Sequence, residues 1–363
     1  MTSFIQNTDF FAGNNPETIA SEYGTPVYVY NEKILRDRMA KVAKVITKYP
    51  YTANYSVKAN TNIHILKLAL EEGLNCDAMS VGEITLLMKA GFPVERIFFV
   101  PNNVAPYELA FALKNGVMTS LDSLSQLELF GEVCNQMKIE PEKRKCAVRI
   151  NPGVGAGHCE KVVTGGKKTK FGIAEYSIPQ IFEIAEKYQI TIVGINQRIG
   201  SLFMDPQPYL DAVTNLLRIA HQFKNLEFID FGGGYGIPYH KLDEEKDFPM
   251  EDFKTRLEPI LDEFVASYGK APLFKSEPGR FCVAEGSVIL GRVHATKENS
   301  GIQFAGSDIG MNVLVRPSMY DSHHDIEVFR DGELVSRNGA DLLEQTVTGN
   351  ICESGDILAK NRL

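Results

Sequence analysis

Thr52-Ala53-Asn54-Tyr55-Ser56-Val57-Lys58-Ala59-Asn60 reads as a strand, Thr52 to Val57, that ends in a lysine. An amphipathic segment follows from Asn62 to Glu72, with apolar residues at helical spacing. The same alternation recurs along the chain. Further strand-like runs cover Asn75 to Met79, Arg96 to Val100, Val117 to Leu121, Cys146 to Ile150, Ile190 to Arg198, Leu226 to Phe231 and Pro272 to Glu277. Helix-like segments lie between them: Val81 to Lys89, Pro106 to Asn115, Ser123 to Gln136, Ser177 to Tyr188, Pro206 to Gln222 and Pro249 to Tyr268. Eight strands alternating with helices predict a parallel (β/α)8 barrel. A doubly wound open sheet would want a glycine-rich turn after its first strand. Here the first strand ends in Lys58 and the glycine triplet follows the seventh, so the barrel is the expected fold.

After Arg280 the pattern changes to short strand-like runs such as Val288 to His294 and Ile326 to Phe329, with a turn pair at Asp331-Gly332. A β-rich second domain is expected there, joined by the early strand Val27 to Tyr30. The expected division is a barrel over 31–284 and a β-domain made of 1–30 plus 285–363.

The 363 residues are 44% hydrophobic, enough for one large core and a smaller one. A net charge of -8 and a pI near 5.5 argue against a nucleic-acid groove or an anionic membrane surface, both of which select a basic face. Small molecules are the expected partners. Six cysteines without a CxxC pair fit a reducing compartment, so the cytoplasm is expected. No run approaches the length of a spanning helix, and Met1 to Asn7 lacks the pattern of a signal peptide.

A lysine at a barrel strand end is a candidate Schiff-base nucleophile, because burial disfavours its ammonium form and leaves an amine able to condense with an aldehyde such as that of pyridoxal phosphate. Two phosphate-loop candidates follow the seventh and eighth strands, Gly232-Gly233-Gly234 and Glu277-Pro278-Gly279-Arg280. Barrel enzymes often hold phosphate between those two loops. Glycines let backbone N–H groups approach its oxygens, and Arg280 offers a charged fork. A carboxylate such as Glu277 opposite a pyridine nitrogen would keep that nitrogen protonated and make the ring a strong electron sink.

Ser56-Val57-Lys58-Ala59-Asn60, Ile199-Gly200-Ser201, Gly232-Gly233-Gly234, Glu277-Pro278-Gly279-Arg280 and Cys352-Glu353-Ser354-Gly355-Asp356 resemble, in this order, the motif series of the alanine-racemase-fold pyridoxal-phosphate decarboxylases. Within that group the series is most similar to the diaminopimelate decarboxylases. The resemblance implies that Lys58 carries the cofactor, that Glu277 faces its pyridine nitrogen, and that Ser201, Gly232, Gly233, Gly234, Pro278, Gly279 and Arg280 surround it. It further implies that Arg280, Arg316 and Tyr320 hold the substrate, that Glu353 receives its distal amine, and that Cys352 protonates the carbon after carbon dioxide leaves. In this family that cysteine arrives from the partner subunit, so a homodimer with shared sites is implied. A thiol suits the task, since a reference pKa of about 8.5 leaves it protonated at neutral pH yet able to exchange. Relatives acting on ornithine or lysine usually carry aspartate after the cysteine, so Glu353 points to diaminopimelate.

Two positions depart from the pattern. Arg198 stands where the family has a histidine whose ring stacks on the cofactor. A guanidinium can stack as well, but its fixed charge bears on rate and substrate. A related decarboxylase of D-lysine, D-ornithine, a siderophore precursor or a carrier-linked amino acid is therefore the alternative, with a catalytically idle cofactor-binding relative as another. A racemase would be expected to carry arginine where Glu277 stands. Family members also continue past the cysteine motif through a Gly-Ala-Tyr segment, whereas the sequence ends at Leu363, so it is either a fragment or a protein without that tyrosine and the closing strands, and as it stands its β-domain is expected to be poorly stable or prone to aggregate.

Other clusters read as structural. His323-His324 with Asp321 and Asp325 suggests a metal site, but alternation along a strand would turn neighbours to opposite faces, so no metal is expected. His158-Cys159 reads as a loop near the site mouth, and Lys167, Lys168 and Lys170 as a solvated face.

Overall fold

The computed structural model describes residues 3–151, 153, 169–243, 245–336 and 342–363. His158, Cys159, Lys167 and Lys168 lie outside the described residues. The chain divides into two compact units, one made of 34–237 and 248–284, the other of 1–33, 238–247 and 285–363.

In the first unit the eight expected strands form at β1 Tyr51–Ser56, β2 Asn75–Ala78, β3 Ile97–Phe99, β4 Met118–Leu121, β5 Lys145–Asn151, β6 Thr191–Asn196, β7 Phe228–Asp230 and β8 Leu273–Ser276. Each pairs in parallel with the next, and β8 pairs with β1 through Phe274 with Tyr51 and Ser276 with Ala53, so the sheet closes into a barrel. A two-residue strand, Ile173–Ala174, adds to β5. Helices Ile63–Glu71, Val81–Ala90, Pro106–Asn115, Leu124–Gln136, Ile178–Tyr188, Gln207–Ala220 and Met250–Tyr268 match the amphipathic segments. Local chemistry starts several of them. Ser80 and Ser123 each accept the N–H three residues on, from Glu83 and Gln126, at 3.2 Å.

Inside the barrel, Phe98, Val100, Ala147, Val193 and Phe228 pack as one apolar cluster. Burying a phenylalanine there contributes about 1.5–3 kcal/mol. Gly194 on β6 makes room for it, because a Cβ at that position would stand 2.2 Å from the Phe228 ring. The Lys275 amine lies 3.8 Å from the Phe228 ring centroid and 4.9 Å from that of Phe98. This layer forms a packed floor beneath the strand ends.

In the second unit, Val27–Tyr30 pairs antiparallel with Ser287–Leu290, Tyr30 opposite Ser287. A four-stranded sheet runs in the order Val293–Asn299, Ile302–Ser307, Gln345–Thr348, Ile357–Arg362. The run expected as one strand from Val288 to His294 is two, divided at Gly291-Arg292, where Asp308 Oδ1 accepts the Arg292 N–H at 2.8 Å. Of the run Ile326 to Phe329, only Phe329 is in a strand: Phe329–Arg330 pairs with Glu333–Leu334 across the turn at Asp331-Gly332, whose φ values of 53° and 81° suit a tight hairpin. His323 and His324 precede that hairpin in irregular chain, so strand alternation does not separate them. Side-chain bonds fix them instead, His323 to Asp325 and His324 to Arg316. Two N-terminal helices, Phe4–Asn7 and Pro16–Tyr23, have no counterpart in the sequence reading; Asn15 caps the second by accepting the Glu17 N–H at 2.8 Å.

Candidate active site

Lys58 follows β1 in a single 3-10 turn, Val57–Ala59. The loop after β8 packs on that turn: the Ser56 N–H donates to the Pro278 carbonyl at 3.0 Å, and the Ser56 hydroxyl donates to the Glu277 carbonyl at 3.3 Å. Gly279 packs closely on that turn: a Cβ there would stand 3.0 Å from that of Ser56 and 3.2 Å from that of Ala59, so a larger residue needs its neighbours to give by a few tenths of an ångström. The lysine-bearing turn and the Glu-Pro-Gly-Arg loop are thus one packed piece.

A cavity of about 280 Å³ opens over these strand ends, lined by Lys58, Met79, Val100, Asn102, Arg149, Phe171, Asn196, Arg198, Gly200, Ser201 and Glu277. The Lys58 side chain is accessible within this space but surrounded by protein, and its amine contacts Met79 Sδ at 3.7 Å. Burial first, then the Arg198 guanidinium, lowers its pKa to about 8, against the pull of Asp77 and Glu277. Glu277 is 1% exposed, and its Oε1 has no hydrogen-bond partner among the described residues. Burial, with Asp230 and Asp77 nearby, raises its carboxyl well above the ordinary range.

The glycine loop after β7 is held from several sides. Asp230 Oδ1 accepts the Gly232 N–H at 2.9 Å, while the Gly232 carbonyl accepts the Tyr209 hydroxyl at 2.7 Å and the Glu277 N–H at 3.0 Å. Gly232 has φ of 77°, and a Cβ there would meet the Gln197 carbonyl oxygen at 2.3 Å. Across the cavity wall, Arg280 Nη2 donates to Ser201 Oγ at 3.3 Å.

The sequence reading missed three charged groups in the barrel. Asp77, next to last in β2, is fully buried; neither oxygen has a hydrogen-bond partner in good geometry among the described residues. Burial raises its pKa, and Lys58, Arg198 and the adjacent Ser56 hydroxyl work in the opposite direction. Arg149 on β5 is 5% exposed and lies 4.5 Å over the Phe171 ring. Asp230 ends β7 and is also buried. A charged residue in the last part of an otherwise apolar barrel strand was the available signal, since such a side chain needs a partner in the interior.

The remaining candidates belong to the other unit. Arg316 and Tyr320 bound a five-residue helix, and Cys352 and Glu353 lie in the loop between Gln345–Thr348 and Ile357–Arg362. Buried Asp356 shapes that loop, accepting the Ile351 N–H at 2.8 Å and the Met311 N–H at 2.6 Å. Ser318 Oγ donates to the Gly355 carbonyl at 2.8 Å, which joins the helix to the loop. Two stretches distant in sequence, 316–320 and 352–355, are thereby joined. Cys352 is exposed, whereas Cys76, Cys134, Cys146 and Cys282 are buried.

The pyridoxal-binding domain of the pyridoxal-dependent decarboxylases matches residues 32–284. Diaminopimelate decarboxylase of Methanothermobacter thermautotrophicus is 39% identical over 360 residues, spanning 96% of this chain and 80% of that protein. The chain belongs to the diaminopimelate decarboxylase family. The Escherichia coli K12 member is 30% identical over 98% of this chain and 82% of its own. The family fold is shared in three dimensions: the Helicobacter pylori diaminopimelate decarboxylase, solved with L-lysine, superposes with a TM-score of 0.85 at 27% identity, covering 96% of this chain and 84% of that one.

Membership brings pyridoxal phosphate as cofactor. The residues present fit it. A lysine amine of lowered pKa and a buried carboxylate oxygen with no hydrogen-bond partner border one cavity, and Ser201 with Arg280 supplies polar groups for an anion at its wall.

Proposed function

We propose that the protein is a carboxy-lyase that converts meso-2,6-diaminopimelate to L-lysine and carbon dioxide. The observation that carries this reading is the placement of Lys58 and the Glu277 Oε1 atom on one cavity at the strand ends of the barrel. Bound pyridoxal phosphate supplies an electron sink for the pair released as the carboxylate leaves. Lys58 anchors it through its amine, which the surrounding protein keeps largely unprotonated above a pH of about 8. Glu277, its carboxyl raised by burial, would face the ring nitrogen and hold a proton between the two. Gly232, Gly233 and Gly234, the last two through their backbone N–H groups, would with Ser201, Pro278, Gly279 and Arg280 hold the phosphate end, and Arg198 would stand beside the ring.

Arg280, Arg316 and Tyr320 bind and orient the substrate, and Glu353 takes the distal ammonium. Cys352 Sγ delivers a proton to the carbon that has lost its carboxylate. The thiol comes from a second subunit, so the working form is a homodimer. The matching relatives named diaminopimelate decarboxylase support the substrate, and no helix among the described residues is long and apolar enough to cross a membrane, in keeping with a cytoplasmic enzyme.

Carbon dioxide release from meso-diaminopimelate, D- and L-lysine, and D- and L-ornithine tests the reading. Lysine formed from the first compound alone is the expected result. Release only from the others would assign the site, with Arg198, to a different substrate.

A further inference from the structure

Arg316 is clamped by two side chains to which the proposed reaction assigns no role. Its Nη1 donates to His324 Nε2 at 3.0 Å, and its Cζ lies 4.5 Å from the Tyr239 ring centroid. His324 meets the same Tyr239 edge-on, with centroids 5.4 Å apart and planes at 87°. A guanidinium only donates, so His324 Nε2 is the lone-pair nitrogen of a neutral ring. The aromatic face stops the guanidinium from tilting, and the imidazole fixes its rotation in the plane.

The two jaws are themselves tied together. Asp325, next to His324, accepts the Lys241 and Leu242 N–H groups through Oδ2 at 2.8 and 3.2 Å. Its Oδ1 bonds His323 Nε2 at 2.9 Å, and His323 stacks on His240 with centroids 3.8 Å apart. Segment 238–247, which carries Tyr239, is thus fastened to the segment that carries His324.

We infer that His324 and Tyr239 are positioning residues that hold the Arg316 guanidinium ready for a carboxylate of the substrate. The inference rests on the reading of Arg316 as a substrate contact. Nη1 faces His324, and a guanidinium takes a carboxylate through two N–H groups side by side. Ordering a long, flexible side chain before the substrate arrives favours binding, because that entropy is lost in advance.

Steady-state kinetics of the holoenzyme with meso-diaminopimelate test it. His324→Leu and Tyr239→Leu are expected to raise KM about tenfold and to change kcat less than about threefold, the size of effect that follows from loosening one charged contact. His324→Gln, which keeps an acceptor near Nε2, and Tyr239→Phe, which keeps the ring, are expected to stay within about threefold of the parent KM. Adding His324→Leu to Arg316→Ala is expected to raise KM no further than Arg316→Ala alone. A folded His324→Gln enzyme with KM raised tenfold overturns the inference, as does a double variant whose effects multiply. If Arg316→Ala itself leaves KM unchanged, the assignment of Arg316 to the substrate fails first, and the inference falls with it.

Discussion

Gly233 lies against Glu277 so closely that a Cβ on the glycine would stand 1.9 Å from the glutamate carbonyl oxygen. The contact joins the loops after β7 and β8. It sets how near the glycine triplet can come to the carboxylate beside it.

Gly233→Ala therefore has to separate two backbones. Backbone cannot give way as a flexible side chain can, so a stability loss of about 3 kcal/mol is expected, the upper part of the range for overpacking. Urea unfolding checks it. Weakened retention of pyridoxal phosphate on dialysis should accompany the loss.

Cofactor capture by Lys58 should follow its unprotonated fraction. With the folded pKa lowered from 10.5 to about 8, the rate at which apoenzyme takes up pyridoxal phosphate is expected to rise with pH and level off above about 8. Borohydride reduction should fix the cofactor on Lys58, and Lys58→Ala should abolish both adduct and activity. Arg198→Met removes a positive charge that lowers the amine pKa, so the inflection should move to higher pH. An unmoved inflection would show that Arg198 does not act on Lys58.

Asp230 is raised by burial from 3.8 to about 7. Between these values the folded state binds the proton and the unfolded state does not, so its contribution to stability is full below 3.8 and lost as pH rises through about 7. Asp230→Asn keeps an acceptor for the Gly232 N–H and does not ionise. Its melting temperature relative to the parent should increase from about pH 5 to about pH 8, values on either side of the folded pKa of about 7. Paired thermal melts at the two pH values decide it.

The proposed completion of the site by a partner's Cys352 can be tested by complementation. Lys58→Ala and Cys352→Ala should each be nearly inactive as homodimers. Mixed and allowed to exchange subunits, they should recover roughly a quarter of the parent activity, because half of the dimers are mixed and each mixed dimer holds one intact site. No recovery, with exchange confirmed by mass, would place the thiol in its own subunit's site.

The strands were legible because each repeats a short pattern, apolar strand then amphipathic helix, that neighbouring residues enforce. Lys58 and Glu277 could be marked from their places at the ends of β1 and β8. The His323-His324 segment was misread as a strand because side-chain bonds from Asp325 and Arg316 decide its course, and those partners cannot be inferred from local alternation.

The sequence by itself determined the barrel, its lysine turn and its two glycine-bearing loops, since strand ends, turns and close approaches are written in adjacent residues. Only the tertiary structure decided which charges surround Lys58. Asp77, Arg149, Arg198 and Glu277 come from different strands or strand ends, and their electrostatic influence depends on distances that exist only once the sheet closes. The same holds for Arg316, whose clamp joins Tyr239 to His324 across 85 positions of chain, as their numbers show.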